Sequence, residues 1–319
     1  MYLRAAHAET SIPVLRQLIR DHPLGILTTA IPHPEYPLLQ CSHIPWVLDV
    51  QDEGSETELG RLRGHMARAN PQAKAMVEEA LAHPSSSSAS ASTSASASAS
   101  PSTSAPAPAP TMTLQQQVLV LFTATPHHYV SPRFYAETKP ATGKVVPTWD
   151  YAAVQVYGRA TLHGETSFLD GQMGDLTREC EEGLLAAQLR QRKRKQQQQQ
   201  QKCASGDQDQ GPVSVKPEDN DDDNDDGGEA WKVSDAPAGY IKVLQRAVVG
   251  VEIEIERLEG KFKMSQEMGL GDRRGVVEGL EGLGEGVATD LARMVKERGG
   301  LGDDDGAAAA AAAASSSKS

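Results

Sequence analysis

Four short clusters in this chain carry more chemistry than a scaffold needs. Gly64-His65-Met66-Ala67-Arg68-Ala69-Asn70-Pro71 sets an imidazole, a guanidinium and an amide where a strand gives way to a helix. At such a corner backbone N–H groups are free and anions are received. Thr125-Pro126-His127-His128-Tyr129-Val130-Ser131-Pro132-Arg133-Phe134-Tyr135 is a loop stiffened by two prolines and rich in polar side chains. Val146-Pro147-Thr148-Trp149-Asp150-Tyr151 places a Trp and a Tyr around a turn that opens a strand. Gly260-Lys261-Phe262-Lys263-Met264-Ser265-Gln266 brings two lysines onto one face of an extended segment, followed by a hydroxyl and an amide.

Each cluster also has a plainer reading. The first is a capped helix whose Arg68 pairs with a surface acid, and the third is a pair of aromatics covering a sheet end. The histidine pair has no acidic or cysteine partner at ligand spacing, which favours packing or hydrogen bonding over zinc. Lys261 and Lys263 as an isolated pair are a solvated face. Together, however, the clusters supply Arg and Lys for a phosphate, hydroxyls and amides for a polyol, and aromatics for a flat ring. Those are the three parts of flavin mononucleotide (FMN), although any phosphorylated ligand meets the same description.

The signatures of several other chemistries are missing. The sequence contains no G-x-x-x-x-G-K-[ST], no G-x-S-x-G and no H-E-x-x-H. Gly282, Gly284 and Gly286 have the wrong spacing for a dinucleotide loop, and no strand precedes them.

The elements that must position these clusters follow from hydrophobic period. Ser11 is placed to cap a helix in which Ile12, Leu15, Leu18 and Ile19 recur at helical spacing. Strands are predicted over 24–30, over 38–50 with an interruption at Pro45, and over 59–65, then a helix over 67–83. Further strands are predicted over 118–124 and 151–163, where Val154, Val156, Gly158, Ala160 and Leu162 share a face. A helix over 165–189 and another over 238–247 precede the cleanest alternation in the chain, 248–256. There Val249, Val251, Ile253 and Ile255 oppose Glu252, Glu254 and Glu256, one dry face and one wet. A Gly-punctuated helix over 272–298 closes the pattern. Runs of strands with helices at the flanks predict an α+β fold with an antiparallel sheet or barrel.

Composition limits how large that fold is. The 319 residues include only three Trp, seven Tyr and four Phe. Residues 84–116 are almost all Ser, Ala, Pro and Thr, 187–228 are Gln, basic and Asp runs, and 299–319 are Gly, Asp, Ala and Ser. Such stretches bury too little to offset the entropy of ordering and are predicted to be disordered. What remains is one ordinary domain or two small ones. The formal charge of −12 argues against gripping nucleic acid by bulk electrostatics. The one basic cluster, at 190–195, lies in the second insert and offers nuclear import as an alternative to a cytoplasmic location. Three cysteines, Cys41, Cys180 and Cys203, lie too far apart for a metal knuckle and are odd in number, which suits a reducing compartment. No apolar run reaches the length of a membrane span, and the first 25 residues lack a signal-type apolar core.

The order of the clusters, with Pro23-Leu24-Gly25 before them and Trp231-Lys232-Val233-Ser234-Asp235-Ala236-Pro237 between the third and fourth, resembles the PaiB family of FMN-binding "negative transcriptional regulators". The resemblance implies a split β-barrel related to the pyridoxamine-phosphate oxidase type, and a homodimer with FMN at the subunit interface. It implies one such domain over 1–298, interrupted by the inserts 84–116 and 187–228 and followed by the tail 299–319. The expected cofactor-binding set is His65, Arg68, Asn70, Ser131, Tyr135, Thr148, Trp149, Lys263, Ser265 and Gln266. Arg68 and Lys263 are expected near the phosphate and Trp149 or Tyr135 beside the ring. An FMN-dependent oxidoreductase is the alternative function, with His65, His127 or His128 as proton relay. Direct DNA binding is disfavoured by charge. Asp150 and Glu267 each stand where the family pattern has Asn, and a carboxylate at either place is expected to weaken FMN binding.

Overall fold

The computed structural model describes residues 1–83, 112–204 and 230–301. In chain order the elements are β1 (Ala8–Glu9), α1 (Ile12–Asp21), β2 (Leu24–Ala30), β3 (Leu39–Pro45), β4 (Val47–Asp49), β5 (Arg61–Ala67) and α2 (Pro71–Ala82). They continue with β6 (Met112–Thr123), β7 (His128–Val130), α3 (Thr138–Thr142), β8 (Thr148–His163) and α4 (Thr166–Ala204). Last come α5 (Ala238–Arg246), β9 (Val248–Lys263), α6 (Leu270–Glu281) and α7 (Gly286–Gly299). Two compact units result: Met1–His163 with Gly250–Ser319, and Gly164–Val249.

In the first unit the strands run in the order β3-β2-β6-β8-β9-β5-β4, with β1 added on β9 and β7 on β8. The pairs β2–β3, β2–β6, β6–β8, β8–β9 and β4–β5 are all antiparallel. β3 and β4, the two ends of this path, are consecutive in the chain and separated only by Trp46. A sheet whose two margins belong to one nearly continuous strand is closed into a barrel. Pro45, the last residue of β3 and the register partner of Leu24, ends the ladder at that seam, since it has no N–H to donate. The indole of Trp46 is fully buried there, and its backbone N–H donates to Pro23 O at 2.9 Å. Gly64 lets β5 pass close to the seam, because a Cβ at Gly64 would sit 2.9 Å from both Ile44 and Trp46.

The long strands β8 and β9 bend where their register shifts between Tyr157 and Gly158. Tyr157 faces Arg257 but Gly158 faces Ile255, so Glu256 is the extra residue of a bulge. Gly158 is required by the close approach, since a Cβ there would lie 2.1 Å from Glu254 O.

Inside the barrel lie Leu27, Val120, Phe122, Val154, Val156, Val251 and Ile253, each at 0 % exposure. Each such side chain contributes roughly 1.5–3 kcal/mol by leaving water. The alternation predicted for 248–256 is observed, with Val249, Val251, Ile253 and Ile255 buried and Glu254 and Glu256 exposed. The fold is therefore α+β, an antiparallel barrel with flanking helices, as the pattern predicts.

Several local expectations move. Ser11 is the residue before α1 but its side chain does not cap it. The carboxylate of Glu56 does so instead, accepting from Ile12 N at 2.8 Å and from Ser11 Oγ at 2.9 Å. The strand predicted over 118–124 begins at Met112, so 112–116 leave the first insert; Leu114, at 1 % exposure, is packed. The helix predicted over 165–189 runs on to Ala204 in the second unit. Gln, Lys and Arg are good helix formers, and their solvated character does not prevent a helix. The single helix over 272–298 is two, α6 and α7, separated near Gly284, whose φ is +69°. The remainder of the three low-complexity stretches, 84–111, 205–229 and 302–319, lies outside the described residues.

Candidate functional site

One corner of the barrel gathers most of the predicted site residues. It is built from the start of β8, the end of β9, the short strand β7 and the loops that follow β7 and β9. In register, β7 sets Val130 against Thr148, Tyr129 against Trp149 and His128 against Asp150. Strand alternation then turns Thr148 and Asp150 to one face and Trp149 to the other.

Lys263 ends β9 on the inner side of this corner. Its ammonium donates to Thr148 Oγ1 at 2.5 Å, to the carbonyl of Trp149 at 3.0 Å and to Asp150 Oδ1 at 3.2 Å. An ammonium has three N–H donors, and these three acceptors occupy them all. The Asp150 carboxylate is fully buried, and its other oxygen, Oδ2, accepts from Ser265 Oγ at 2.6 Å. Burial pushes the Asp150 carboxyl above the usual carboxylate range; the bond from Ser265 and the charge of Lys263 offset only part of that.

Ser265 has φ 54°, and among the described residues no other non-glycine residue has positive φ. A left-handed serine costs on the order of 1 kcal/mol or more and must be held in place. Two neighbours hold it. Asp150 accepts from its hydroxyl, and Gln266 brackets the turn, Oε1 accepting from Met264 N at 2.6 Å and Nε2 donating to Phe262 O at 2.5 Å. The side chains of Ser265 and Gln266 therefore shape the loop.

Glu267, next in the chain, accepts from Nε2 of the buried His7 at 2.9 Å. Burial raises the Glu267 carboxyl, but the His7 bond, a backbone bond and the charges of His7 and Lys263 hold it below its ordinary value. Tyr135 is buried behind the corner. Burial first, then the carboxylates of Asp150, Glu267 and Asp272, push its phenol up. The two carboxylates expected to repel a phosphate are thus matched, Asp150 by Lys263 and Ser265 and Glu267 by His7.

The outer face of the corner is aromatic. Trp149 is half exposed, its Nε1–H donating to His127 Nδ1 at 3.3 Å, with Tyr129 edge-on at 6.4 Å between ring centroids. Ser131 sits one residue beyond β7, where its hydroxyl accepts from Arg133 N at 3.2 Å. Arg133 is exposed and enters no ion pair among the described residues.

His65, Arg68 and Asn70 form a separate group at the turn from β5 to α2. Asn70 caps α2, its Oδ1 accepting from Gln72 N at 2.9 Å while its Nδ2 donates to Ser42 Oγ at 2.9 Å. Arg68 is exposed, and among the described residues it too has no ion pair. The structure thus brings Thr148, Trp149, Lys263, Ser265 and Gln266 together, with Ser131 and Tyr135 alongside, and places His65, Arg68 and Asn70 at their own corner.

Sequence reasoning missed His7, which pairs with a residue 260 positions away and lies in no motif. It also passed over Arg133 as a ligand, although the residue sits inside the second cluster. A cavity of about 580 Å³ lies elsewhere, lined by Asp49, Gln51, Glu58, Arg61 and Glu254 among others. Its carboxylates suit an anion poorly, and the Lys263 corner is the better candidate for one.

FMN needs a cation for its phosphate, polar groups for its ribityl chain and a flat apolar surface for its ring. Arg133, the Thr148 and Ser131 hydroxyls and the Trp149–Tyr129 ledge fit those needs. The fold is an antiparallel barrel, and one of its corners carries side chains that suit a flavin. The chain belongs to the family described as "Putative FMN-binding domain", which its residues 1–257 match, and FMN is the cofactor of that class. Two fungal proteins described as uncharacterized are similar along nearly their whole length. One, from Aspergillus fumigatus, is 44% identical over 317 residues, covering 95% of this chain and 99% of its own. The other, from Emericella nidulans, is 42% identical over 311 residues with the same coverage. Among solved structures, the FAD and heme binding protein from Mycobacterium smegmatis superposes with a TM-score of 0.36 at 11% identity, covering 81% of this chain and 73% of its own. The flavocytochrome Anf3 from Azotobacter vinelandii does so with a TM-score of 0.32 at 10% identity, covering 82% and 72%.

Proposed function

We propose that this chain is a PaiB-like FMN-binding flavoprotein that holds its cofactor at the Lys263 corner and acts as a homodimer in transcriptional regulation. The observation that carries the cofactor assignment is the convergence of two segments more than 100 residues apart, Thr148-Trp149-Asp150 and Lys263-Met264-Ser265, at one end of the barrel. In this reading Trp149 lies beside the ring, Thr148 and Ser131 meet the ribityl chain, and Arg133 and Lys263 face the phosphate. Ser265 and Gln266 fix the loop that positions them. His65, Arg68 and Asn70, at the β5–α2 corner, complete the site from the second protomer. Residues 1–298 then act as one functional domain.

The purified protein is expected to be yellow, or to take up added FMN with a shift in the flavin absorption bands. Colourless protein that leaves added FMN unchanged overturns the assignment. Light scattering on a sizing column tests the dimer, and a monomer at working concentration excludes the two-protomer site. The regulatory role is tested by expression profiling after deletion of the gene.

A second reading, an FMN-dependent oxidoreductase, is favoured by the proton-holding groups at the same corner: Asp150 and Tyr135 both keep their protons beyond their ordinary range. The flavin supplies the electron chemistry, while the protein orients it and holds the protons. Reduction of bound flavin by NAD(P)H with turnover of an acceptor supports this reading, and a flavin inert to both nucleotides excludes it.

A further inference from the structure

The donors of Lys263 are fully occupied, and that has a consequence for any anion bound beside it. Two of its acceptors, Thr148 Oγ1 and the Trp149 carbonyl, are neutral, while the third, Asp150, carries the charge that cancels the ammonium. Asp150 Oδ2 is already engaged by Ser265 at 2.6 Å, so a proton added to the carboxyl goes to Oδ1, the oxygen that faces Lys263. Protonation there removes the negative charge in contact with Lys263 and leaves the ammonium facing only Glu267, which makes no hydrogen bond to it among the described ones.

The geometry points to Asp150 as a proton-operated switch on anion binding: ionised, it retains the Lys263 ammonium, and protonated, it releases that ammonium to a phosphate group. Binding of FMN is then accompanied by uptake of a proton at Asp150. The inference rests on the reading that the FMN phosphate lies at this corner.

Other charged and titratable groups face the switch from each packed element. Lys263 comes from β9, His128 is the register partner on β7, and Glu267 with His7 closes the side of the following loop. Tyr135 lies behind, with Asp272 of α6 acting on it. Of these, the Glu267–His7 pair has its own partner and does not contact Asp150 Oδ1 among the described hydrogen bonds. The control for it is Glu267→Gln, which leaves the Asp150–Lys263 contact in place.

The test is titration of FMN, followed by flavin fluorescence, into the full-length wild type, Asp150→Asn and Glu267→Gln between pH 5.5 and 8. At pH 8 Asp150→Asn is expected to bind about tenfold tighter than wild type, because the cancelling charge is gone. The ratio is expected to fall towards one as pH is lowered and Asp150 takes its proton. The phosphate of free FMN also titrates in this range, but free FMN is common to all three proteins, and a change of the ratio shared by Glu267→Gln is the part that belongs to the bound phosphate. A ratio that stays constant with pH, or that changes equally for Glu267→Gln, overturns the switch while leaving FMN binding intact. If no variant takes up FMN at any pH, the cofactor reading itself fails and the switch falls with it. Should Asp150→Asn not fold, calorimetry of wild type with sulfate, whose charge is fixed over this range, decides the matter. Proton uptake on sulfate binding supports the switch, and binding without it overturns the switch.

Discussion

Asp150 and Lys263 meet across two neighbouring strands at 3.2 Å, the carboxylate fully buried and the lysine side chain 16% exposed. Such a pair stabilises less than it suggests, because taking two charges out of water offsets most of their attraction. The balance tips against the charged carboxylate here, since burial keeps the Asp150 carboxyl above its ordinary range.

The sign of the resulting pH dependence follows from that direction. A carboxyl raised in the folded state contributes stability that is full below its unfolded pKa and lost as pH rises through the folded one. Asp150→Asn removes this dependence. Thermal melts are expected to show the variant gaining on wild type between pH 5 and pH 8; a constant difference contradicts the assignment.

Asp272 behaves in the opposite sense. It is fully buried at the start of α6, where burial raises it, but bonds from Thr138 Oγ1 and from the backbone N–H groups of Glu137 and Thr138 prevail and hold it low. Its contribution is present above the unfolded carboxylate value and lost as pH falls through the folded one. Asp272→Ala leaves those donors without their acceptor and is expected to cost about 2 kcal/mol at pH 7, measured by urea denaturation. The difference from wild type is expected to shrink towards pH 3.

Trp149→Ala separates binding from folding. The indole is 49% exposed, so its removal is expected to shift the melting temperature by no more than about 2 °C. Loss of a stacking surface of about 1–1.5 kcal/mol is expected to weaken FMN about tenfold in a fluorescence titration. Unchanged affinity places the ring elsewhere.

Gly158→Ala tests the bulge. The added methyl would meet the Glu254 carbonyl at 2.1 Å, and a backbone atom cannot swing aside as a side chain does. Destabilisation of about 3 kcal/mol or more is expected by chemical denaturation. A near-neutral result means that β8 and β9 are not bulged at this point.

What could be read in advance follows the range of the interactions. The strand over 24–30 and the alternation of Val249, Val251, Ile253 and Ile255 are local patterns, and both appear in the fold at those positions. The four clusters were visible because their residue types are unusual together. Their partition into two corners was not, since motif order carries no distances. Closure through Trp46 and capping of α1 by Glu56, 44 residues away, depend on tertiary contacts with no sequence period. The Asp150–Lys263 contact, spanning 113 positions, was likewise invisible, and Lys263 therefore read as a free cation.

The seam at Trp46 sets how the molecule comes apart. With both margins of the sheet carried by one short stretch of chain, loosening that stretch frees two strand edges in a single event. Amide protons at the seam, beginning with the Trp46 N–H held by Pro23 O, are accordingly expected to exchange with solvent only when the whole ring opens, at the slowest rate in the molecule.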